Sequence, residues 1–75
     1  MNNRMSNEKD LVALGNRVRK LRQAINLSQE SFSTKAGLHR TYISELEKGL
    51  RNPTVSTLNK IANALNIDMK DLWEK

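Results

Sequence analysis

Apolar residues recur at alternating intervals of three and four near the start of the chain, at Leu11, Leu14, Val18, Leu21 and Ile25. This spacing puts their side chains on one face of an α-helix, with the basic residues of the segment on the other sides. Asp10 is suited to cap the start of such a helix, and Asn26 to take the left-handed conformation at its end. We therefore expect a first helix over residues 11–25.

Four shorter segments with helical periodicity follow, separated by residues that start or stop helices. Ser28 and Thr54 are suited as N-caps, because their hydroxyls can accept from the free N–H groups of a first turn. Gly37, Gly49 and Asn66 are suited to helix ends, where a positive φ is needed. We expect the helices over residues 29–36, 40–48, 55–65 and 69–75, with Asp68 and Asp71 as a capping box before the last. Their predicted inward-facing residues are Phe32, Ala36, Ile43, Leu46, Val55, Leu58, Ile61, Ala62 and Leu65.

The composition is typical of a small all-α domain. With no cysteine among 75 residues, disulfides, thiolate metal sites and a cysteine nucleophile are excluded. One proline and three aromatic residues argue against a β-rich fold, and five short helices predict a compact all-α domain. We expect the polar residues 1–9 to form a flexible N-terminal arm before one domain over residues 10–75, with Met1 and Met5 as alternative starts.

The net charge of +5 is concentrated in the middle of the chain. Residues 17–60 hold nine basic and three acidic residues, whereas residues 61–75 hold two and three. A basic segment favours nucleic acid as a partner, although a solvated cationic surface remains the alternative.

No stretch approaches the roughly 18 apolar residues of a membrane span, and residues 1–10 lack the apolar core of a secretory signal. We therefore expect a soluble, cytoplasmic protein.

Residues 29–48 have the pattern of a helix-turn-helix, whose two helices cross closely at a small residue. Gly37 falls in the turn, and Ser33 is small enough for the crossing. Apolar contacts on both sides would come from Phe32, Leu38, Ile43 and Leu46. The second helix, which we call the recognition helix, is expected to present polar side chains outward, where they could enter a DNA major groove. These residues are His39, Arg40, Thr41, Tyr42, Ser44 and Glu45.

From about Leu14 to Leu65 the chain resembles the phage-repressor-like (XRE, Cro/repressor-type) helix-turn-helix proteins. The resemblance rests on LSQ at the start of the second helix, the AG turn, YISELEKG, the RNPT loop and the L..IA.AL helix. It implies a lambda-repressor-like fold and sequence-specific DNA binding. Ser33 departs from the alanine most common there, at a small cost if its hydroxyl bonds back to a helix carbonyl. AGLHRTYIS and the short length resemble most the controller proteins of restriction–modification systems, which are autoregulatory homodimers.

The predicted base-contact residues are Arg40, Thr41, Tyr42, Ser44 and Glu45. Arg40 can donate two hydrogen bonds to guanine O6 and N7, and Ser44 can reach a base or a phosphate. Thr41 can meet a thymine methyl group or cap the helix start, and the Tyr42 hydroxyl can reach a phosphate while its ring packs on the domain. Glu45 can accept from cytosine N4, or it can orient a guanidinium, that of Arg17, Arg22 or Arg40.

The predicted phosphate-contact residues are Gln29, Arg17, Lys35, His39, Arg51 and Asn52. The family resemblance implies the phosphate contact of Gln29, to which a helix N-terminus adds partial positive charge. Arg51 and Asn52 lie in the loop after the recognition helix, where arginine and backbone amides suit phosphate. His39 is expected to cap the helix or lie beside a phosphate. Since the chain has one histidine and no cysteine, we expect no metal.

One recognition helix reads about 3–5 base pairs, so specificity in a genome favours a two-fold dimer on a pseudo-palindrome. The predicted dimer interface is Leu65, Ile67, Met69, Leu72 and Trp73, more apolar surface than one short helix can bury. The alternative for Trp73 is packing within its own chain. Expected partners are double-stranded DNA, a second copy of the chain and, through exposed residues such as Glu30 and Lys35, RNA polymerase.

Catalysis has little support in the sequence, which lacks a glycine-rich phosphate loop and a Ser-His-Asp set, and we expect neither an enzyme nor a cofactor. The alternatives to a controller protein are an antitoxin-type interaction protein, another small XRE repressor, or a nonspecific basic DNA-coating protein.

Overall fold

The computed structural model describes residues 8–73. Within that range all regular secondary structure is helical, and turns and loops join the helices. Its elements are α1 (Glu8–Ala24), α2 (Gln29–Ala36), α3 (Arg40–Glu47), α4 (Val55–Leu65) and a 3-10 helix (Met69–Leu72). The predicted all-α architecture is confirmed, but the fifth element is one 3-10 turn, so a count of five α-helices is not. No helix among the described residues has the length and apolar character needed to cross a membrane.

The start of α1 differs from the prediction. Glu8 and Lys9 belong to this helix rather than to an arm, and residues 1–7 of the predicted arm lie outside the described range. Asp10 therefore lies in the first turn of α1 rather than at its N-cap. A carboxylate in the first turn still interacts favourably with the positive end of the helix dipole.

The N-caps predicted at Ser28 and Thr54 are confirmed. The Ser28 and Thr54 hydroxyls accept hydrogen bonds from the N–H groups of Ser31 and Thr57, at 3.0 and 3.1 Å. Positive φ angles occur at the predicted helix ends, at Asn26 (61°), Gly37 (71°), Gly49 (81°) and Asn66 (65°). The Ser33 hydroxyl donates to the Glu30 carbonyl at 2.7 Å, the predicted bond back to the helix. Asp71 accepts from the Asp68 N–H at 3.3 Å.

One apolar core lies between the helices, and its largest fully buried side chains are Leu14, Val18, Phe32, Ile43, Leu46, Ile61 and Leu72. The prediction that Ile25 and Val55 face inward is wrong. Ile25 is 41% exposed because it lies past the end of α1, and Val55 is 65% exposed. Val55 is the first residue of α4, whose buried residues begin one turn later at Leu58.

Helices α1 and α3 pack closely at Gly15. A Cβ atom there would touch the Leu46 carbonyl oxygen and lie 2.8 Å from that of Glu47. No side chain fits between the two helices at this point. This crossing sets how α3 lies on the domain, and the sequence patterns above did not identify it.

Candidate nucleic-acid interface

The recognition helix α3 begins at the helix-turn-helix turn with its polar residues outward. His39 is its N-cap, and the Nδ1 atom accepts from the Thr41 N–H at 3.3 Å, so one of the two roles predicted for His39 is confirmed. Arg40 and Thr41 are exposed, and Ser44 is partly exposed. Since Ile43 and Leu46 are fully buried, the opposite side of α3 anchors it to the core. The structure therefore brings these polar residues together on one accessible face.

Glu45 also lies on this face, and its partner is Arg51 in the loop between α3 and α4. The Arg51 Nε atom donates to Glu45 Oε1 at 2.8 Å, and the two side chains are 48% and 37% exposed. The suggested partners Arg17, Arg22 and Arg40 are wrong for this structure. Glu45 and Arg51 are six residues apart, and the loop turns back so that the Leu50 N–H donates to the Glu45 carbonyl at 2.9 Å. The turn brings Arg51 to the surface of the recognition helix.

Tyr42 completes this cluster. The Arg51 guanidinium carbon lies 5.2 Å from the centroid of the Tyr42 ring, a cation–π distance. Partial burial raises the pKa of the Tyr42 phenol, while the Arg51 charge and the Thr57 side chain on α4 oppose that rise. The ring is thus packed on the domain, in addition to any role at DNA.

Behind the face, a buried ion pair joins α1 to the end of α3. Arg22 donates through Nε and Nη2 to the two oxygens of Glu47, at 2.7 and 2.9 Å, and through Nη1 to the Leu27 carbonyl at 2.7 Å. Gln29, the first residue of α2, donates to Glu47 Oε1 at 3.0 Å. The pair therefore links α1, the start of α2 and the end of α3.

Sequence reasoning missed Glu47, although a signal was present. Glu47 follows the core residue Ile43 by four positions, and Arg22 follows Val18 by four. A charged residue on the buried stripe of a helix needs a partner, because an unpaired buried charge is costly. Gln29, predicted to contact phosphate, has its amide nitrogen held by Glu47 at the N-terminus of α2.

The three remaining residues predicted to contact phosphate differ in their surroundings. Lys35 and Asn52 are exposed, on α2 and in the α3–α4 loop. Arg17 instead faces the C-terminal turn, where its Nε atom donates to the Asp71 carbonyl at 3.2 Å. In this structure Arg17 ties α1 to the 3-10 helix.

The predicted dimer residues divide into two groups. Leu65 and Leu72 are 3% and 1% exposed and belong to the core of the single chain, so they have no side-chain surface to offer a partner. Ile67 and Met69 are half-buried against that core, and Trp73 is 44% exposed. The apolar surface left at the C-terminal end is therefore narrower than predicted.

Several known proteins are similar to this chain in sequence and in fold. Residues 18–72 match the model of the helix-turn-helix family. The control protein C.BamHI of Bacillus amyloliquefaciens is 44% identical over 61 residues, covering 80% of this chain and 75% of that protein.

Solved structures agree with this match. The restriction–modification controller protein C.AhdI of Aeromonas hydrophila is 42% identical with a TM-score of 0.85, covering 87% of this chain and 98% of that one. SinR, a master regulator for biofilm formation solved in complex with DNA, is 27% identical with a TM-score of 0.77, covering 81% and 98%.

Proposed function

Since this chain belongs to the helix-turn-helix family, of the XRE type, we propose that it is a sequence-specific DNA-binding transcriptional regulator. More narrowly, we propose an autoregulatory controller protein of a restriction–modification system. The likeness to C.BamHI and C.AhdI over most of their lengths supports the narrower role. The observation that carries the proposal is the exposed polar face of α3, held by buried Ile43 and Leu46 on its opposite side.

Arg40 is the central base-reading residue of this proposal. It is the first residue of α3 and is exposed, and the N-terminal residues of a recognition helix contact base edges. Its guanidinium would bond to guanine O6 and N7, with Thr41 and Ser44 beside it on the same helix. These contacts supply the sequence discrimination.

Gln29, Lys35, Arg51 and Asn52 are proposed to hold the sugar–phosphate backbone on either side of α3. Gln29 combines a fixed amide with the N-terminus of α2, where partial positive charge favours an anion. Such contacts position the domain and weaken as salt rises, because DNA binding releases counterions.

The regulator is proposed to act as a homodimer through its C-terminal end, with Ile67, Met69 and Trp73 as the contact residues. Two copies would place their recognition helices about 34–36 Å apart, one turn of the DNA helix. Trp73 supports this arrangement, because a half-exposed tryptophan at a surface is well suited to a buried interface.

The proposed partners are operator DNA and RNA polymerase, and the proposed location is the cytoplasm. Glu30 and Lys35 are exposed on α2 and would form a polymerase-facing patch when the protein binds beside a promoter. A site that overlaps the promoter would give repression. The role requires neither catalysis nor a cofactor.

Selection of bound duplexes from a random DNA pool, followed by footprinting, tests the proposal. A sequence-specific dimer enriches one pseudo-palindrome and protects it symmetrically in the presence of competitor DNA. Enrichment of no sequence would indicate a nonspecific DNA-coating protein. Copurification of a stoichiometric partner that abolishes DNA binding would favour the antitoxin-type alternative instead.

A further inference from the structure

The cluster of Glu45, Arg51 and Tyr42 gives one residue of the recognition helix a role other than reading DNA. We propose that Glu45 is a positioning residue, which holds the Arg51 side chain over the surface of α3 in the orientation that meets DNA. The inference rests on the proposed function and decides between the two roles that the sequence left open for Glu45.

The geometry of the ion pair supports positioning rather than sequestration. Glu45 engages only the Nε atom of Arg51, at 2.8 Å. The Nη1 and Nη2 groups have no hydrogen-bond partner among residues 8–73. A guanidinium carries five N–H donors, and its terminal edge is the one that matches a phosphate or a guanine. The carboxylate therefore leaves the recognition edge of Arg51 open.

The other contacts restrict the same side chain. Tyr42 lies under the guanidinium at 5.2 Å, and its ring is itself partly buried against the core. The backbone next to Arg51 is fixed as well, since the Leu50 N–H donates to the Glu45 carbonyl. A free arginine loses rotamer freedom when it binds. Arg51 has lost part of that freedom before DNA arrives.

Positioning and simple electrostatics predict different effects of removing Glu45. An acidic side chain on a DNA-facing helix repels phosphate, so its removal alone would tighten binding to every duplex. If Glu45 positions Arg51, its removal also releases Arg51 and weakens binding. Only the second effect requires Arg51, so a double-mutant cycle separates the two.

The test measures the dissociation constants of wild type, Glu45→Ala, Arg51→Ala and the double variant. The probes are the duplex recovered from the random pool by the wild-type protein and a shuffled duplex of the same composition. For each background, the effect of Glu45→Ala is the ratio of the dissociation constants with and without the substitution. We expect this ratio to be about two- to fivefold higher when Arg51 is present than in the Arg51→Ala background, a coupling in the range of an exposed ion pair. Glu45→Gln, which keeps an acceptor for Nε, should recover part of the difference.

Three outcomes would overturn the inference. Equal effects of Glu45→Ala in both backgrounds would mean that Glu45 acts independently of Arg51. A greater gain in affinity when Arg51 is present would mean that Glu45 sequesters it. Loss of discrimination at one base pair, without coupling to Arg51, would make Glu45 a base reader.

A measurement without DNA separates this inference from the proposed function. In the free protein, the Arg51 Nε–H resonance should move on Glu45→Gln, while the melting temperature stays unchanged because both side chains are partly exposed. An unchanged Arg51 Nε–H resonance would contradict the ion pair between Glu45 and Arg51. Failure of the wild-type protein to select any duplex would overturn the proposed function, while this readout still reports on the pair.

Discussion

Arg22 and Glu47 form a two-pronged ion pair between α1 and the last residue of α3, with N–O distances of 2.7 and 2.9 Å. Their side chains are only 9% and 2% exposed. The Leu27 carbonyl and the Gln29 amide take part in the same network. The pair thus sets the orientation of the recognition helix relative to the rest of the domain.

Replacing either partner of this pair should destabilise the domain severely. Glu47→Ala leaves the Arg22 charge buried and unpaired, a change that costs about 3–5 kcal/mol. Because a core of this size supplies only about 3–5 kcal/mol of net stability, the variant should be largely unfolded at 25 °C. Urea unfolding followed by circular dichroism measures this loss. Glu45→Ala, at the exposed pair, is the matched control and should change stability by less than about 1 kcal/mol. Similar unfolding midpoints for the two variants would contradict the prediction.

Gly15 and Gly37 should respond differently to alanine. At Gly15 the new methyl group would meet the backbone carbonyls of Leu46 and Glu47, which cannot move without shifting α3. Overpacking of this kind costs about 1–3 kcal/mol and should outweigh the better helix propensity of alanine. At Gly37 there is open space, and the cost of about 1–2 kcal/mol comes from the left-handed φ of 71° alone.

Thermal unfolding, together with the affinity for the selected duplex, distinguishes the two glycine variants. Gly15→Ala should lower both, because the orientation of α3 changes, whereas Gly37→Ala should mainly lower stability. If Gly15→Ala stabilises the protein, as alanine does on an open helix surface, this would contradict the prediction that α1 and α3 pack too closely at Gly15 to admit a methyl group.

Arg40→Ala and Arg51→Ala should weaken DNA binding in distinguishable ways. Loss of a two-donor contact to guanine should cost about 1–3 kcal/mol of discrimination at one base pair, so Arg40→Ala should bind the selected and the point-substituted duplex alike. Arg51→Ala should weaken binding to all duplexes and lower the slope of log affinity against log salt by about 1. Titrations across salt concentrations measure both effects.

Lys70→Ala is the control for both arginine variants, since it removes the same charge from an exposed residue of the C-terminal 3-10 helix. It should leave base discrimination unchanged. If Arg40→Ala reduces the affinity for every sequence equally, Arg40 contacts backbone rather than base.

Trp73→Ala should weaken the proposed dimer. Truncation of an interface tryptophan commonly costs about 2 kcal/mol or more, so the dimer dissociation constant should rise at least about thirtyfold in sedimentation equilibrium. This variant is preferable to truncation before Asp68, which would also remove the core residue Leu72. Val55→Ala, at a residue 65% exposed on α4, is the control. An unchanged constant for Trp73→Ala would place the interface elsewhere.

The sequence by itself determined the features that depend on neighbouring residues. The caps at Ser28 and Thr54, the turn at Gly37 and the bond of Ser33 back to Glu30 involve atoms no more than four positions apart. Each residue type has a conformational preference that acts within one helical turn. The helix-turn-helix was therefore predictable, with the outward face of its second helix.

Only the tertiary structure decided which distant groups meet. Gly15 against α3, Glu47 as the partner of Arg22, and Arg51 rather than another arginine as the partner of Glu45 all depend on how the helices cross. The same holds for the burial of Leu72, which the sequence assigned to an interface. Periodicity gives the face on which a side chain lies, but partner choice among similar charges is set by distances between helices, which local preferences do not encode.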